Sequence, residues 1–511
     1  VTEVARPGAA DPFTVGPWVT HRARLDPERP AVVFEGRPLT YRELDEASTR
    51  LARVLLAGGL AAGDRVATLS ENRPEQVTLL FACAKARLVM FPMNWRLTTT
   101  ELADQLALME PSTLLVSAAQ RARVDVAAAA NVTTVELLEE ICARAAPATA
   151  PDLPRVSGDD GLMIIATSGT TGRPKGVLLT HANFFWTNLS LDLVAPINSD
   201  DVVLQVLPQF HVGGWNVQPM LAWWKGATVI LEPSFDPGRV LATIAREHVT
   251  TMAGVPTVYL MIAREAGFGS ADLASLRNVV VGGAAMPYTV LTEWSARGVA
   301  VLQGYGLTEA APNVFCLSAA EALAHPGSVG HPYPYVEVAL ADARGCPVEG
   351  PGQGELWVRG SCLFAGYWRD PEATAAAMAG SWLRTGDVAA RDADGFYRIA
   401  GRAKEMYVSG GENVYPVEVE NAITSLAGVA SAAVVRVAHP VWGEAGVAYV
   451  ERSPGARVDA DDLREHCRDR LAAYKIPVEF YVVDELPRNP VGKVDKLALR
   501  ASADAAVSGA A

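Results

Sequence analysis

From Ala31 onward the chain repeats one phrase, a short continuous apolar run followed by a stretch with helical spacing. AVVFEG leads into LTYRELDEASTRLARVLLAGGL, DRVATLS leads into an apolar helix through Phe81, and LVMFPMN follows; the rhythm returns in VVLQVLP, ATVILEP, TTMAGVP, NVVVGG and AVLQGYG. A strand apolar on every residue must be covered on both faces, and helices crossing between parallel strands do that. The alternation therefore predicts α/β layers with a mainly parallel sheet. Thr40, followed three residues later by Glu43, marks the capped start of a long amphipathic helix.

After about Ser328 the phrase changes. YVEVALADARG, GELWVRG and DADGFYRIAGR are short alternating runs with turn residues between them, which predicts an antiparallel sheet or small barrel. Beyond Arg402, VASAAVVRVAHP, GVAYVERSP, a helix expected over Asp461 to Ala473, and VEFYVVDELP make a compact α+β unit. The expected organisation is a large N-terminal domain over 1–401, with a β-rich subdomain at 328–401, and a small C-terminal domain over 402–511, jointed near Lys404. Both ends, Val1 to Asp11 and Ala501 to Ala511, are expected to fray.

The net charge of −13, without a cluster of Lys and Arg, argues against a nucleic-acid partner. Val202 to Trp224 is uncharged but carries Pro208, Gln209, His211, Asn216, Gln218 and Pro219, so no membrane span is expected. No basic start with an apolar core opens the chain, and the expected location is the cytoplasm. The six cysteines are scattered, with no zinc-like spacing, and read as reduced thiols. Only seven lysines stand against 37 arginines, and Lys175, Lys404, Lys475, Lys493 and Lys496 fall in segments punctuated by Gly or Pro. Lysine kept in such places suggests a role that arginine does not fill.

The first of these segments is TSGTTGRPKG, Thr167 to Gly176. Thr167, Ser168, Thr170 and Thr171 offer hydroxyls, Gly169 and Gly172 free the backbone N–H groups between them, and Lys175 adds a point charge, a set suited to phosphate. The pattern is not the GxxxxGK[ST] loop, in which lysine opens a helix. Here Pro174 precedes the lysine, Gly176 follows it, VLL reads as a strand, and the next helix waits for Thr180 to cap HANFFWTN.

The loop resembles the signature of the adenylate-forming superfamily, in its acyl- and aryl-CoA synthetase branch. LPQFHVGG, GGAAMP, QGYGLTEAAP, GELWVRG, the stretch from Trp382 to Glu420, and PRNPVGKVDKLALR follow in the family's order, so the resemblance runs from about Pro30 to Arg500. The GGENVYP and GYGLTEAAP wording is closest to feruloyl-CoA synthetase-like ligases. The resemblance implies ATP, Mg2+ and CoA as cofactors. It also implies a two-step reaction, in which a carboxylate joins the α-phosphate of ATP with loss of pyrophosphate and the acyl group then passes to CoA.

The same resemblance implies the residue roles. The loop and Lys175 would hold the leaving pyrophosphate. Thr308 would touch the α-phosphate and Glu309 would bind the metal. Tyr305 would lie against adenine, with Gly283, Ala284 and Ala285 opposite and Gly304 and Gly306 alongside; Asp387 would take the ribose hydroxyls, and Arg402 would sit by ribose or phosphate. Lys493 would be the adenylation lysine and Lys404 the hinge, while Gly410 and Gly411 would form a tunnel for the pantetheine thiol. Some aryl-CoA ligases carry a lysine six residues past the arginine matched by Arg402; Val408 stands there in this chain.

His211 matches an aromatic gate beside the carboxylate pocket, for which Val212, Gly213, Trp215, Gly282, Gly306 and Leu307 are the expected lining. That lining is apolar and glycine-rich and contains no Lys, Arg or Asp, which disfavours dicarboxylates and α-amino acids. The expected partner is a small aromatic or medium-length carboxylic acid, and the expected oligomeric state a monomer or homodimer. The alternative keeps the adenylation half and changes the acceptor or substrate: a carrier protein, an amine, or nitrite activated to diazotise an arylamine.

Overall fold

A computed structural model of the chain describes residues 11–123, 125, 132, 134–168, 174–284, 286–402, 405–409, 412–439, 442–471, 473–489 and 492–509. The apolar runs form two large sheets. In the nine-stranded one, Val301–Gly306, Asn278–Val281, Thr251–Gly254, Val202–Gln205, Thr228–Leu231 and Pro30–Phe34 are consecutive and parallel, with antiparallel strands at the edges. In the seven-stranded one, Gly161–Ser168, Val89–Met93, Arg65–Leu69, Thr113–Val116 and Val135–Leu137 are parallel. The helix expected at Thr40 spans Tyr41–Ala57 with the capping box formed. Trp18, Tyr41, Phe81, Trp215 and Trp223 belong to the largest core cluster.

The strand expected at VLL begins earlier, at Pro174, and takes in the phosphate-loop lysine. Gly161–Ser168 pairs antiparallel with Pro174–Thr180, placing Thr167 opposite Lys175. Thr180 then caps the helix His181–Val194 through the backbone N–H of Asn183.

The segment after Ser328 is a five-stranded antiparallel sheet that includes Val336–Ala341, Gly352–Gly360, Trp382–Arg391 and Tyr397–Arg402. The next sheet begins at Tyr407–Ser409 and is built on the long hairpin of Val429–His439 with Gly443–Arg452. Two expectations need correcting here. The helix predicted over 461–473 covers Ala460–Arg468, after which the chain turns at Asp469. The C-terminal end does not fray through 509: Lys496–Gly509 is a helix, and Leu499 and Ala503 are buried against the long hairpin. Their spacing of four residues puts both on one helical face.

Candidate active site

The candidate site lies where the parallel strands end, the usual place for ligands in an open α/β sheet. Val202–Gln205 runs out toward His211, Asn278–Val281 into Gly282, Gly283 and Ala284, and Val301–Gly306 into Leu307, Thr308 and Glu309. Glu309 sits in a single 3-10 turn, Thr308–Ala310. The turn is fixed by a close backbone approach, because a Cβ on Gly306 would lie 1.6 Å from the Pro312 carbonyl oxygen. Only glycine fits there.

Glu309 and Lys175 meet through a residue that the sequence reading did not single out. The Tyr367 hydroxyl donates to Glu309 Oε1 at 2.8 Å, and the Lys175 ammonium stands over the Tyr367 ring, 4.5 Å from its centroid. A strap over 361–368 positions the tyrosine. Asn183 Nδ2 donates to the carbonyls of Ser361 (3.0 Å) and Leu363 (2.6 Å). Phe364 N donates to Glu309 O, Ala365 N to Leu178 O, and Trp368 N to Gly176 O, so one segment ties the lysine strand to the glutamate turn. Glu309 Oε2 has no protein partner among the described residues. One carboxylate with a free oxygen fits Mg2+, which takes most of its remaining ligands from phosphate and water.

The antiparallel sheet contributes the nucleoside side. Asp387 and Arg402 are direct cross-strand partners, and Arg402 Nε lies 2.7 Å from Asp387 Oδ1. The Tyr305 hydroxyl donates to Asp387 Oδ2. Thr385 completes the unit: its hydroxyl receives the Asp387 N–H at 3.0 Å, and its carbonyl receives Arg402 Nη1 at 3.2 Å. Asp387 is 4% exposed. Burial pushes its carboxyl up from the ordinary value, with Arg402 and Tyr305 opposing; burial and Asp387 together raise the Tyr305 hydroxyl. Tyr305, expected only against adenine, is thus also the partner of the expected ribose ligand.

Lys493 arrives from the small domain, and its charge is felt by both Asp387 and His211. Solvent reaches the residue, yet the protein around the ammonium lowers its pKa. Burial is the largest cause and Arg402 the second, with Asp387 and Glu405 opposing. These couplings put Lys493 within electrostatic reach of the crevice. Nearby, Lys496 pairs with Glu405 at 3.0 Å and Glu420 at 2.8 Å, fixing the lysine-bearing turn to the segment that enters the small domain.

His211 is half-buried, and burial, Lys493 and Arg96 push its imidazole down to about 4. Its ring lies 4.6 Å from that of Phe210. Arg96 is a second residue missed in the sequence. Its guanidinium lies over the Trp95 and Phe210 rings at 5.1 and 5.5 Å, so a cation stands beside the expected lining although none belongs to it. The expected lining divides. Gly213, Gly282, Gly306 and Leu307 keep open surface, whereas Val212 is 6% and Trp215 0% exposed. Trp215 is a core residue whose indole N–H donates to the Gln209 carbonyl, and it has no surface to offer a ligand.

Thr167 is bonded across its hairpin, its hydroxyl donating to Lys175 O at 3.4 Å. Gly169, Thr170, Thr171, Gly172, Ala285, Lys404, Gly410 and Gly411 lie outside the described residues, as does the side chain of Ser168. Among the described residues no group of three or more His, Cys, Asp or Glu converges as a metal site, and no helix is long and apolar enough to cross a membrane.

A crevice in which a strand-borne lysine, a carboxylate with a free oxygen, a buried aspartate–arginine pair and a lysine from a second domain converge defines an adenylate-forming enzyme. The AMP-binding enzyme model matches residues 19–368, and that of the AMP-binding enzyme C-terminal domain matches residues 418–493. The chain belongs to the AMP-binding enzyme family and is an AMP-forming acid–CoA ligase that uses ATP, Mg2+ and CoA. It is 42% identical to a feruloyl-CoA synthase of Amycolatopsis sp over 94% of this chain and 97% of that one. It is 37% identical to an indoleacetate–CoA ligase of Aromatoleum aromaticum, over 94% and 96%. The o-succinylbenzoate coenzyme A synthetase of Bacillus subtilis, solved with ATP and magnesium ion, superposes with a TM-score of 0.86 at 32% identity, over 94% and 99%.

Proposed function

We propose that this ligase activates a small aromatic carboxylic acid, or a medium-length acyl acid, in a slot beside His211. Gly282, Gly306 and Leu307 leave backbone and apolar surface for a flat ring. Of the cations whose charge reaches His211, Arg96 is stacked on aromatic rings and Lys493 comes from the small domain to meet the phosphate. The relatives named for feruloyl and indoleacetate groups act on aryl acids and support the same class.

The residue roles follow from charge. A carboxylate oxygen of the acid attacks the α-phosphorus of ATP, the bond to the bridging oxygen breaks, and pyrophosphate leaves with its added charge. Lys493 neutralises charge at the α-phosphate, and Lys175 does so at the departing group. Glu309 would hold Mg2+, which when bound neutralises phosphate charge. Asp387 and Arg402 orient the ribose; the hydroxyls exchange for the Tyr305 and Arg402 contacts. His211, with its imidazole pKa near 4, is neutral at pH 7, so it bounds the acid pocket without adding a cation. The CoA thiolate then attacks the acyl carbon and AMP leaves, with Lys404 in the role of hinge and Gly410 and Gly411 in that of the pantetheine tunnel. The domains are 1–401 and 402–511. The protein acts as a monomer or homodimer in the cytoplasm, where ATP and CoA are found and where its six free thiols stay reduced.

The observation that carries this reading is the convergence of Lys493 with Asp387, Arg402 and His211, drawn from both domains. Purified protein with ATP, Mg2+, CoA and a panel of cinnamic, benzoic, indolic and medium-chain acids should form AMP and a thioester in equal amounts, fastest with the aryl acids. AMP formed with nitrite and an arylamine, without acid or CoA, would sink the reading.

A further inference from the structure

We infer that Tyr367 is a positioning residue for the Mg2+–ATP complex, keeping Lys175 and Glu309 separately aimed while the nucleotide is absent; the inference rests on the ligase reading above. Lys175 and Glu309 share a neighbour but do not form an ion pair with each other. The aromatic ring between them has an acceptor face and a donor edge. Its face takes the ammonium at 4.5 Å and its hydroxyl, in the ring plane, donates to Glu309 Oε1 at 2.8 Å. A direct lysine–carboxylate bridge would neutralise both groups and would have to be broken by each incoming nucleotide. The ring contact is weaker and is readily exchanged for phosphate, and the hydroxyl leaves the other carboxylate oxygen open to a cation.

The backbone is built to hold this one side chain. Tyr367 pairs with Val177, two residues past Lys175 on the same strand. Its N–H donates to Thr374 Oγ1 at 2.9 Å, and its ring meets Phe364 edge-on at 5.0 Å. Phe364 in turn donates its N–H to the Glu309 carbonyl, so the tyrosine and the glutamate are set by the same strap.

The test uses the full-length protein and the non-cleavable probe α,β-methylene-ATP, titrated by calorimetry over a range of Mg2+ and in EDTA. Tyr367→Phe keeps the ring and removes the hydroxyl. It should raise the Mg2+ concentration for half-maximal nucleotide binding about tenfold and leave binding in EDTA unchanged. The shift should vanish in a Glu309→Gln background, because the hydroxyl acts through that carboxylate. Tyr367→Leu should also weaken binding in EDTA, severalfold, by removing the perch of Lys175. A wild-type Mg2+ midpoint in Tyr367→Phe, or the same shift with Glu309 already replaced, would overturn the inference alone. Wild-type protein that binds no Mg2+-dependent nucleotide would overturn the ligase reading with it.

Discussion

Lys493 depends on its neighbours for its chemistry, because on an isolated turn its ammonium would be solvated surface charge. Burial first and Arg402 second lower its pKa, while Asp387 opposes. Lys493→Ala should cut adenylate formation by about 100-fold or more, measured as acid-dependent pyrophosphate release. Thioester formation from supplied acyl-adenylate should stay near the wild-type rate, and equal loss in both assays would contradict the assigned role. His181 gives a stability test of a different kind. It is fully buried, its Nδ1 accepts from Val15 N, and burial pushes it down to about 4, with Asp160 and Asp11 opposing. Between about 6.5 and 4 the unfolded chain binds a proton that the folded one refuses. Stability is therefore full above this window and lost as pH falls through it, by an amount on the order of 3 kcal/mol. His211 is shifted the same way, whereas the downward shifts of Asp11 and Asp160 act below the ordinary aspartate value of 3.8. His181→Asn should flatten, without abolishing, the fall in melting temperature between pH 6.5 and 4; an unchanged slope would contradict a neutral buried imidazole. Lys493, Asp387 and Glu309 are legible in the sequence because each sits in a motif. Tyr367 and Arg96 are not, because what marks them is a neighbour far away in the chain: Glu309 for one, Phe210 and His211 for the other.

Among the elements, the parallel strands and the long N-terminal helix can be read directly, since continuous apolar runs and a Thr40–Glu43 cap act within a few residues. The strap over 361–368 cannot. It has one short strand, Gly366–Tyr367, and is held mainly by backbone bonds to distant partners, a kind of order that leaves no period in the sequence. Asn183 has a double duty that does leave a trace: its side-chain oxygen receives the Thr180 N–H at 2.9 Å, completing a cap, while its Nδ2 holds the strap. Asn183→Ala should cost about 1–3 kcal/mol, the usual penalty for leaving buried partners unpaired. Since the freed carbonyls belong to the segment carrying Tyr367, the KM for Mg2+–ATP should rise more than the KM for the acid. A uniform rise in both would mean the strap supports the fold and nothing more local. The terminal helix was misread for a related reason. Ala503 is buried, yet one small apolar position in ASADAAVSGA looks like a fraying tail until the hairpin on which it and Leu499 pack is known.

At the scale of the molecule, the two bodies touch at more than the site. Arg264 Nη2 of the large domain lies 3.1 Å from Ser453 Oγ of the small one. If one orientation makes the adenylate and another passes it to CoA, this contact must open once per turnover. Cysteines at both positions, joined by a short bis-methanethiosulfonate linker that spans an arginine's length, would hold the first orientation closed. The background should carry Cys346→Ser, since Cys346 is exposed and the other five thiols are buried. Linked protein should form one equivalent of acyl-adenylate with ATP, Mg2+ and acid, at a rate near that of the reduced protein. Its thioester output with CoA should fall by at least about tenfold and recover when dithiothreitol cuts the linker. Thioester formation at the unlinked rate would mean that CoA reaches the acyl carbon without rotation. Loss of adenylate as well would instead place the productive first orientation away from the Arg264–Ser453 contact. The adenylate yield of the linked form thus separates a misplaced clamp from an unnecessary rotation.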